Sequence, residues 1–89
     1  MDKLERKIYE KIIEKMDIDE SEIEGFDENS LIFGTSEDGK VSLELDSIDS
    51  LELVVLIYDE WNIDVSAEDM PRLKTLRSIA DYIRERNAI

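Results

Sequence analysis

The sequence predicts an all-α protein, a small four-helix bundle built from three main helices and one short one. Three observations predict it. Leu4, Ile8, Ile12 and Met16 recur at every fourth position near the start of the chain. Leu51 to Tyr58 is apolar except for Glu52 and follows a helix-start signal. Leu76, Ile79, Ala80 and Ile83 repeat at helical spacing behind Thr75. Each pattern puts apolar side chains on one face at the helical period. The 89 residues, 42% hydrophobic with six aromatics, allow one domain, 1–89, with a small and mainly aliphatic core.

Residues 2–16 form the first helix, with Tyr9 and Ile13 widening the stripe and a Lys/Glu mixture facing solvent. Residues 17–30, Asp-rich and containing Gly25, read as a loop held by two small anchors, Ile18 and Ile23. In residues 31–45, Leu31-Ile32-Phe33 and the alternating Val41, Leu43 and Leu45 flank Asp38-Gly39, a hairpin-turn signal, so this long first loop is compatible with a short β-hairpin. Residues 47–61 form the second helix, with Ser47 as the N-cap candidate, Asp49 and Glu52 favouring its positive end and Asn62 as its stop. Leu53, Val54, Ile57 and Trp61 face inward. Leu51, Val55 and Tyr58 are then left over, as an apolar strip ringed by carboxylates or as a second buried face. Residues 67–73 suggest a short helical turn interrupted by Pro71. Thr75 caps the last helix, which carries Arg84 and Arg86 near its negative end.

The charge excludes several function classes. A net charge of −13 repels nucleic acid and anionic lipid headgroups, so partners should present Lys/Arg patches. Between Lys15 and Arg72 stand eighteen acidic residues and one basic residue, Lys40. Such crowding should raise many carboxylate pKa values, favouring stability at lower pH and with added salt. The chain has no cysteine, consistent with a reducing, cytoplasmic setting, and the residues after Met1 do not form a signal peptide. No apolar run approaches the roughly 20 residues that span a bilayer, so no membrane insertion is expected. A monomer is expected.

Leu45-Asp46-Ser47-Ile48-Asp49-Ser50-Leu51-Glu52-Leu53 holds the chemistry. A hydroxyl among carboxylates at a helix start has nothing nearby to activate it. The chain contains no His or Cys, and no Lys falls between Lys40 and Arg72. Nucleophilic catalysis needs an adjacent base or a lowered pKa, so no catalytic residue is assigned. The serine is better read as a site where another enzyme attaches a group.

Asp46-Ser47-Ile48-Asp49, then Glu52-Leu53-Val54 and Asp59-Glu60-Trp61, resemble the prosthetic-group motif and recognition helix of acyl carrier proteins. Ile63-Asp64-Val65, Thr75-Leu76 and Ile79-Ala80-Asp81-Tyr82-Ile83 continue the likeness without a gap to Ile83. Residues 34–44 look like an insertion relative to ordinary carriers. The resemblance implies the acyl-carrier bundle and 4′-phosphopantetheine transferred from coenzyme A to Ser47, whose arm would hold acyl groups as thioesters. It also implies partners: a phosphopantetheinyl transferase, acyl-loading enzymes, and ketosynthases or acyltransferases with basic patches. Asp46, Asp49, Glu52, Asp59 and Glu60 would meet those patches, and Ile48, Leu51 and Val55 would make the apolar contacts. The chain itself would be no enzyme.

Asp49-Ser50-Leu51 is a second, literal copy of the family tripeptide. Register favours Ser47, because Glu52-Leu53-Val54 lies five residues after it and only two after Ser50. Ser47 also falls at the helix mouth, beside unpaired backbone N–H groups and the positive dipole end, whereas Ser50 falls a turn deeper. The alternatives are a peptidyl, aminoacyl or D-alanyl carrier, an unmodified acidic interaction module, or a calcium-binding module. For the last, Asp17, Asp19, Ser21 and Glu28 occupy EF-hand-like positions, but Glu22 stands where glycine is needed, and no metal site is assigned. Acidity leans toward fatty-acid or polyketide synthesis, and the insertion toward a specialised lipid or secondary-metabolite pathway.

Overall fold

Helix α1, Lys3–Met16, starts where Asp2 and Glu5 cap each other. The Asp2 carboxylate accepts from the Glu5 N–H and the Glu5 carboxylate accepts from the Asp2 N–H, both at 2.8 Å. This capping box satisfies two N–H groups that a helix start otherwise leaves without partners. The helix ends at Asp17, whose left-handed backbone (φ 53°) turns the chain away. A computed structural model describes residues 1–34 and 42–87, Ser47 by its backbone alone. Helix α2 spans Ser47–Trp61 and α3 spans Leu76–Asn87, with short 3-10 turns at Glu20–Ile23 and Met70–Arg72. The expected all-α bundle of three main helices is therefore present, the expected short helix is the 3-10 turn Met70–Arg72, and a second such turn, Glu20–Ile23, lies in the first loop.

α1 packs against both α2 and α3. Ile8 and Ile12 meet Leu53 and Ile57 of α2 and Leu76, Ile79 and Ile83 of α3 in a core of fully buried side chains. Leu56 joins it, while Val54 and Trp61 are only half-buried at its edge. Ile23 is buried and Ile18 packs partly against the core, so both anchors of the first loop hold. Phe26 extends that loop's grip by stacking on Tyr9 at 5.7 Å between ring centres.

The approach to α2 differs from the expected hairpin. Asp38-Gly39 and Val41 lie outside the described residues. The flanking segments meet in one isolated parallel bridge, Phe33 with Leu45, and the described residues contain no strand. The alternation itself is real, since Leu43 and Leu45 are both buried. Their backbone partners are elsewhere than an antiparallel ribbon requires: the Leu43 N–H donates to Leu31 and the Leu45 N–H to Ile32, whose own N–H donates to Lys74. Ile32, fully buried, thus ties the segment before α2 to the segment before α3. Between the two buried leucines, Glu44 adopts a left-handed φ of 54°, a strained choice for a residue with a Cβ.

The start of α2 also differs in one residue. The N-cap is Asp46, and Ser47 is the first helical residue. Asp46 Oδ1 accepts from the Ile48 N–H at 2.9 Å and the Asp49 N–H at 3.0 Å, while Asp49 Oδ2 accepts from the Asp46 N–H at 3.0 Å. An ionised carboxylate accepts these bonds more strongly than a hydroxyl and suits the positive helix end, which is why aspartate takes the cap. Asn62, left-handed at φ 56°, stops α2 as expected. Thr75 caps α3 as expected, its hydroxyl accepting from the Ser78 N–H at 3.1 Å while Ser78 Oγ accepts from the Thr75 N–H at 2.9 Å.

Tyr82 of α3 fastens the second 3-10 turn. Its ring is fully buried and its hydroxyl donates to Asp69 Oδ2 at 2.7 Å. The Arg72 and Arg86 guanidinium groups lie 5.2 and 4.9 Å from the ring centre, and Arg86 also donates to Asp69. Burial first, then the Asp69 hydrogen bond, pushes the Tyr82 pKa up. Tyr82→Phe keeps the ring packing and should cost about 1 kcal/mol, whereas Leu53→Ala in the core should cost about 2–5 kcal/mol. Urea unfolding checks both, as a lowered midpoint with the slope unchanged.

The expected upward drift of carboxylate pKa values is reversed where the caps are. Asp46 is lowered chiefly by the Asp49 N–H, Asp2 by the Glu5 N–H and then Arg84, Asp19 by the Ser21 N–H, and Asp69 by the Tyr82 hydroxyl. Hydrogen bonds to the charged form outweigh desolvation, the one effect that raises these four. A native pKa below the unfolded value gives stability that is complete above that value, near 3.8, and is lost as pH falls through the native one. The melting temperature at fixed ionic strength should therefore fall as the pH is taken below about 4. A melting temperature that climbs steadily down to that range would mean that repulsion dominates after all.

Candidate functional site

Buried Leu43 and Leu45, on either side of exposed Glu44, lead the chain to the protein surface at Asp46, where α2 begins. Ser47 is the first residue of that helix, between exposed Asp46 and Ile48, the latter 71% exposed. Three of the N–H groups next to Ser47 are taken: those of Ile48 and Asp49 donate to the Asp46 side chain and that of Ser50 to the Asp46 carbonyl. A phosphate at this position would meet a helix end already capped by a carboxylate. Ser50 lies one turn in, half-buried, within a regular helical hydrogen bond.

Beside this first turn opens a groove of about 330 Å³ lined by Phe33, Leu45, Asp46, Ser50, Met70 and Pro71. Most of these side chains are apolar, and they come from three parts of the chain: the bridge, the start of α2 and the second 3-10 turn. The arrangement offers a residue at the surface with an apolar furrow next to it, which fits a long covalent arm better than a solvated loop would.

Along α2 the apolar residues that do not face the core reach solvent. Leu51 is 66% exposed, Val55 48% and Tyr58 53%, in line with Ile48. The second-buried-face reading of these residues is thereby excluded for the chain on its own. Tyr58 belongs to this strip as fully as the others, although its hydroxyl makes it easy to set aside as an ordinary surface residue.

The carboxylates are less uniform than their spacing suggests. Asp46 and Asp49 are occupied with each other's backbone. Glu52 lies 3.4 Å from Lys15 Nζ, and Glu60 3.3 Å from Lys11 Nζ. Asp59 is exposed and makes no ion pair among the described residues. The two lysines come from α1 and, with Glu14, Leu56, Asp59 and Glu60, line a cleft of about 280 Å³ between the helices. Nothing in the sequence indicates these pairings, because they depend on how the two helices cross.

Among the described residues no group of His, Cys, Asp or Glu is arranged to hold a metal ion. The acidic loop is otherwise engaged: Asp17 terminates α1, Asp19 caps the first 3-10 turn, and Glu28 approaches the N-terminal amine and Arg77 at 3.6 and 3.8 Å. No helix of the described residues is long and apolar enough to cross a membrane.

Residues 6–83 match the family model described as phosphopantetheine attachment site. The chain is 31% identical over 87 residues to acyl carrier proteins of Rickettsia canadensis (strain McKiel) and Rickettsia rickettsii (strain Iowa), covering 98% of this chain and 90% of each relative. The acyl carrier protein of Rickettsia typhi (strain Wilmington) is 30% identical over the same length. The chain therefore belongs to the acyl carrier protein family, whose covalent cofactor is 4′-phosphopantetheine.

Proposed function

We propose that Ser47 is the attachment point of the 4′-phosphopantetheine arm, on which the chain carries acyl intermediates as thioesters for fatty-acid, specialised-lipid or polyketide synthesis in the cytoplasm. Residues 1–89 act as one carrier unit, loaded and unloaded by partner enzymes. The observation that carries this reading is the position of Ser47 at the first turn of α2, next to both the apolar groove and the exposed strip. The arm supplies the thiol that a chain without cysteine lacks. The protein's own residues supply the anchor and the surface by which partners recognise it.

That surface is the exposed side of α2. Ile48, Leu51, Val55 and Tyr58 give an apolar centre, and Asp59 and Glu52 a negative flank. α2 contains no lysine or arginine, so the flank has no positive charge of its own. A phosphopantetheinyl transferase, an acyl-loading enzyme, a ketosynthase or an acyltransferase with an apolar groove and a basic rim would complement it. Asp46 and Asp49 contribute by fixing the helix start and by local potential, and Glu60 is turned toward α1.

Two experiments test this reading. Intact mass after incubation with coenzyme A and a promiscuous phosphopantetheinyl transferase should rise by one phosphopantetheine in the wild type and in Ser50→Ala, and not in Ser47→Ala. Because Asp46 does the capping, Ser47→Ala should leave α2 folded, so a missing mass gain reports the lost hydroxyl. Modification of Ser47→Ala but not Ser50→Ala would move the attachment point one turn along the helix. Separately, Glu52→Lys and Asp59→Lys should each slow loading several-fold at low salt while leaving the helical circular dichroism unchanged. Rates equal to wild type would remove this face from recognition.

A further inference from the structure

The lysines of α1 bear on how a partner reads α2. At about 100° per residue, Glu52 and Asp59 fall on one ridge beside the strip of Ile48, Leu51 and Val55, while Glu60 lies roughly a quarter-turn further round toward α1. Lys15, at the C-terminal end of α1, reaches the ridge and sits 3.4 Å from Glu52, whose side chain is still 55% exposed. Lys11 holds Glu60, which is 30% exposed, inside the interhelical cleft. Asp59, on the same ridge as Glu52, lines the cleft with Lys11 and Lys15 but pairs directly with neither among the described residues. The two carboxylates that flank the apolar strip are thus electrostatically unlike.

We propose that Lys15 is a specificity-determining residue that competes, within the chain, with a partner's cation for Glu52, leaving Asp59 as the uncontested charge on the docking ridge. The inference rests on the reading of α2 as the recognition surface. A basic partner side chain can bind Glu52 only by displacing or sharing with Lys15, whereas it meets Asp59 directly. An exposed ion pair of this kind is weak enough for a partner to open, yet it cancels part of the local field that steers association. Partners whose rim places its cation opposite Asp59 are favoured over those that rely on Glu52.

Steady-state loading by a promiscuous phosphopantetheinyl transferase with coenzyme A, at low ionic strength, tests this with five variants. Lys15→Gln should lower the KM for the carrier and raise kcat/KM about two- to fivefold with kcat unchanged. Lys15→Arg should stay near wild type. Lys3→Gln, which makes the same net-charge change at the far end of α1, should give a smaller gain. In a Glu52→Gln background the Lys15→Gln gain should vanish, as it should for the single variant at high salt. A gain no larger than that of Lys3→Gln, or one that survives Glu52→Gln, would overturn the competition. Failure of the docking reading itself has a different signature, because Glu52→Lys and Asp59→Lys would then load at the wild-type rate.

Discussion

The reciprocal bonding of Asp46 and Asp49 sets the residue at which α2 begins, and the rest of the site is in register with it. At about 100° per residue Ile48, Leu51, Val55 and Tyr58 fall within one arc, and all four are exposed. The capping box is held from behind by Leu43 and Leu45, buried in the core, and by the backbone tie from Leu45 to Ile32 to Lys74. Ser47 lies inside this box, between the two residues that form it. Its neighbours therefore serve the backbone before they serve any partner, which is why an aspartate on each side of the serine has a structural cause independent of recognition.

Charge is distributed by element. All the negative residues of α2 lie on a helix without a single cation, while the cations that pair across the fold come from α1, the second 3-10 turn and α3: Lys11, Lys15, Arg72, Arg77, Arg84 and Arg86. Arg84 of α3 reaches Asp2 and Arg77 reaches buried Glu5, so the surplus of acid is partly neutralised at the α1–α3 seam. At the α1–α2 seam neutralisation stops at Glu52 and Glu60. On the outer ridge of α2, Asp59 is left without a direct ion pair among the described residues. A net charge of −13 is thus mostly a property of one face and of the loops, and it coexists with a tightly paired opposite side.

Much of this was legible in the sequence because helical periodicity is a local signal. The i, i+4 stripe of α1, the stop at Asn62 and the Thr75 cap each follow from a few neighbouring residues, and each stands in the fold. The surplus of apolar residues on α2 was legible too, but only the fold decides between an exposed strip and a second buried face. The N-cap of α2 was misread by one residue because serine and aspartate are both good caps and stand side by side; only the extended backbone at Asp46 (φ −107°, ψ −172°) separates them. The alternation of Leu43 and Leu45 correctly marks two buried positions, but the partners of their backbone lie at Leu31 and Ile32, in a parallel register that no turn motif encodes. Raised carboxylate pKa values followed from counting charges, which misses the N–H groups and hydroxyls that several of those carboxylates accept from.

The groove beside Ser47 joins these local facts to the fold as a whole. Two of its walls, Phe33 and Leu45, are the two sides of the parallel bridge, and a third is Met70-Pro71 of the second 3-10 turn. That turn is too short to hold itself. Its place is set by Asp69, which accepts from both Tyr82 and Arg86, and by Arg72, which pairs with Glu85 and lies over the Tyr82 ring. All these partners are on α3, so the furrow next to the first turn of α2 takes its shape from side chains of the last helix. Residues far from α2 in sequence therefore shape the furrow beside its first turn. The local sequence sets where α2 begins, and the packing of α3 against the 3-10 turn decides what lies alongside that first turn.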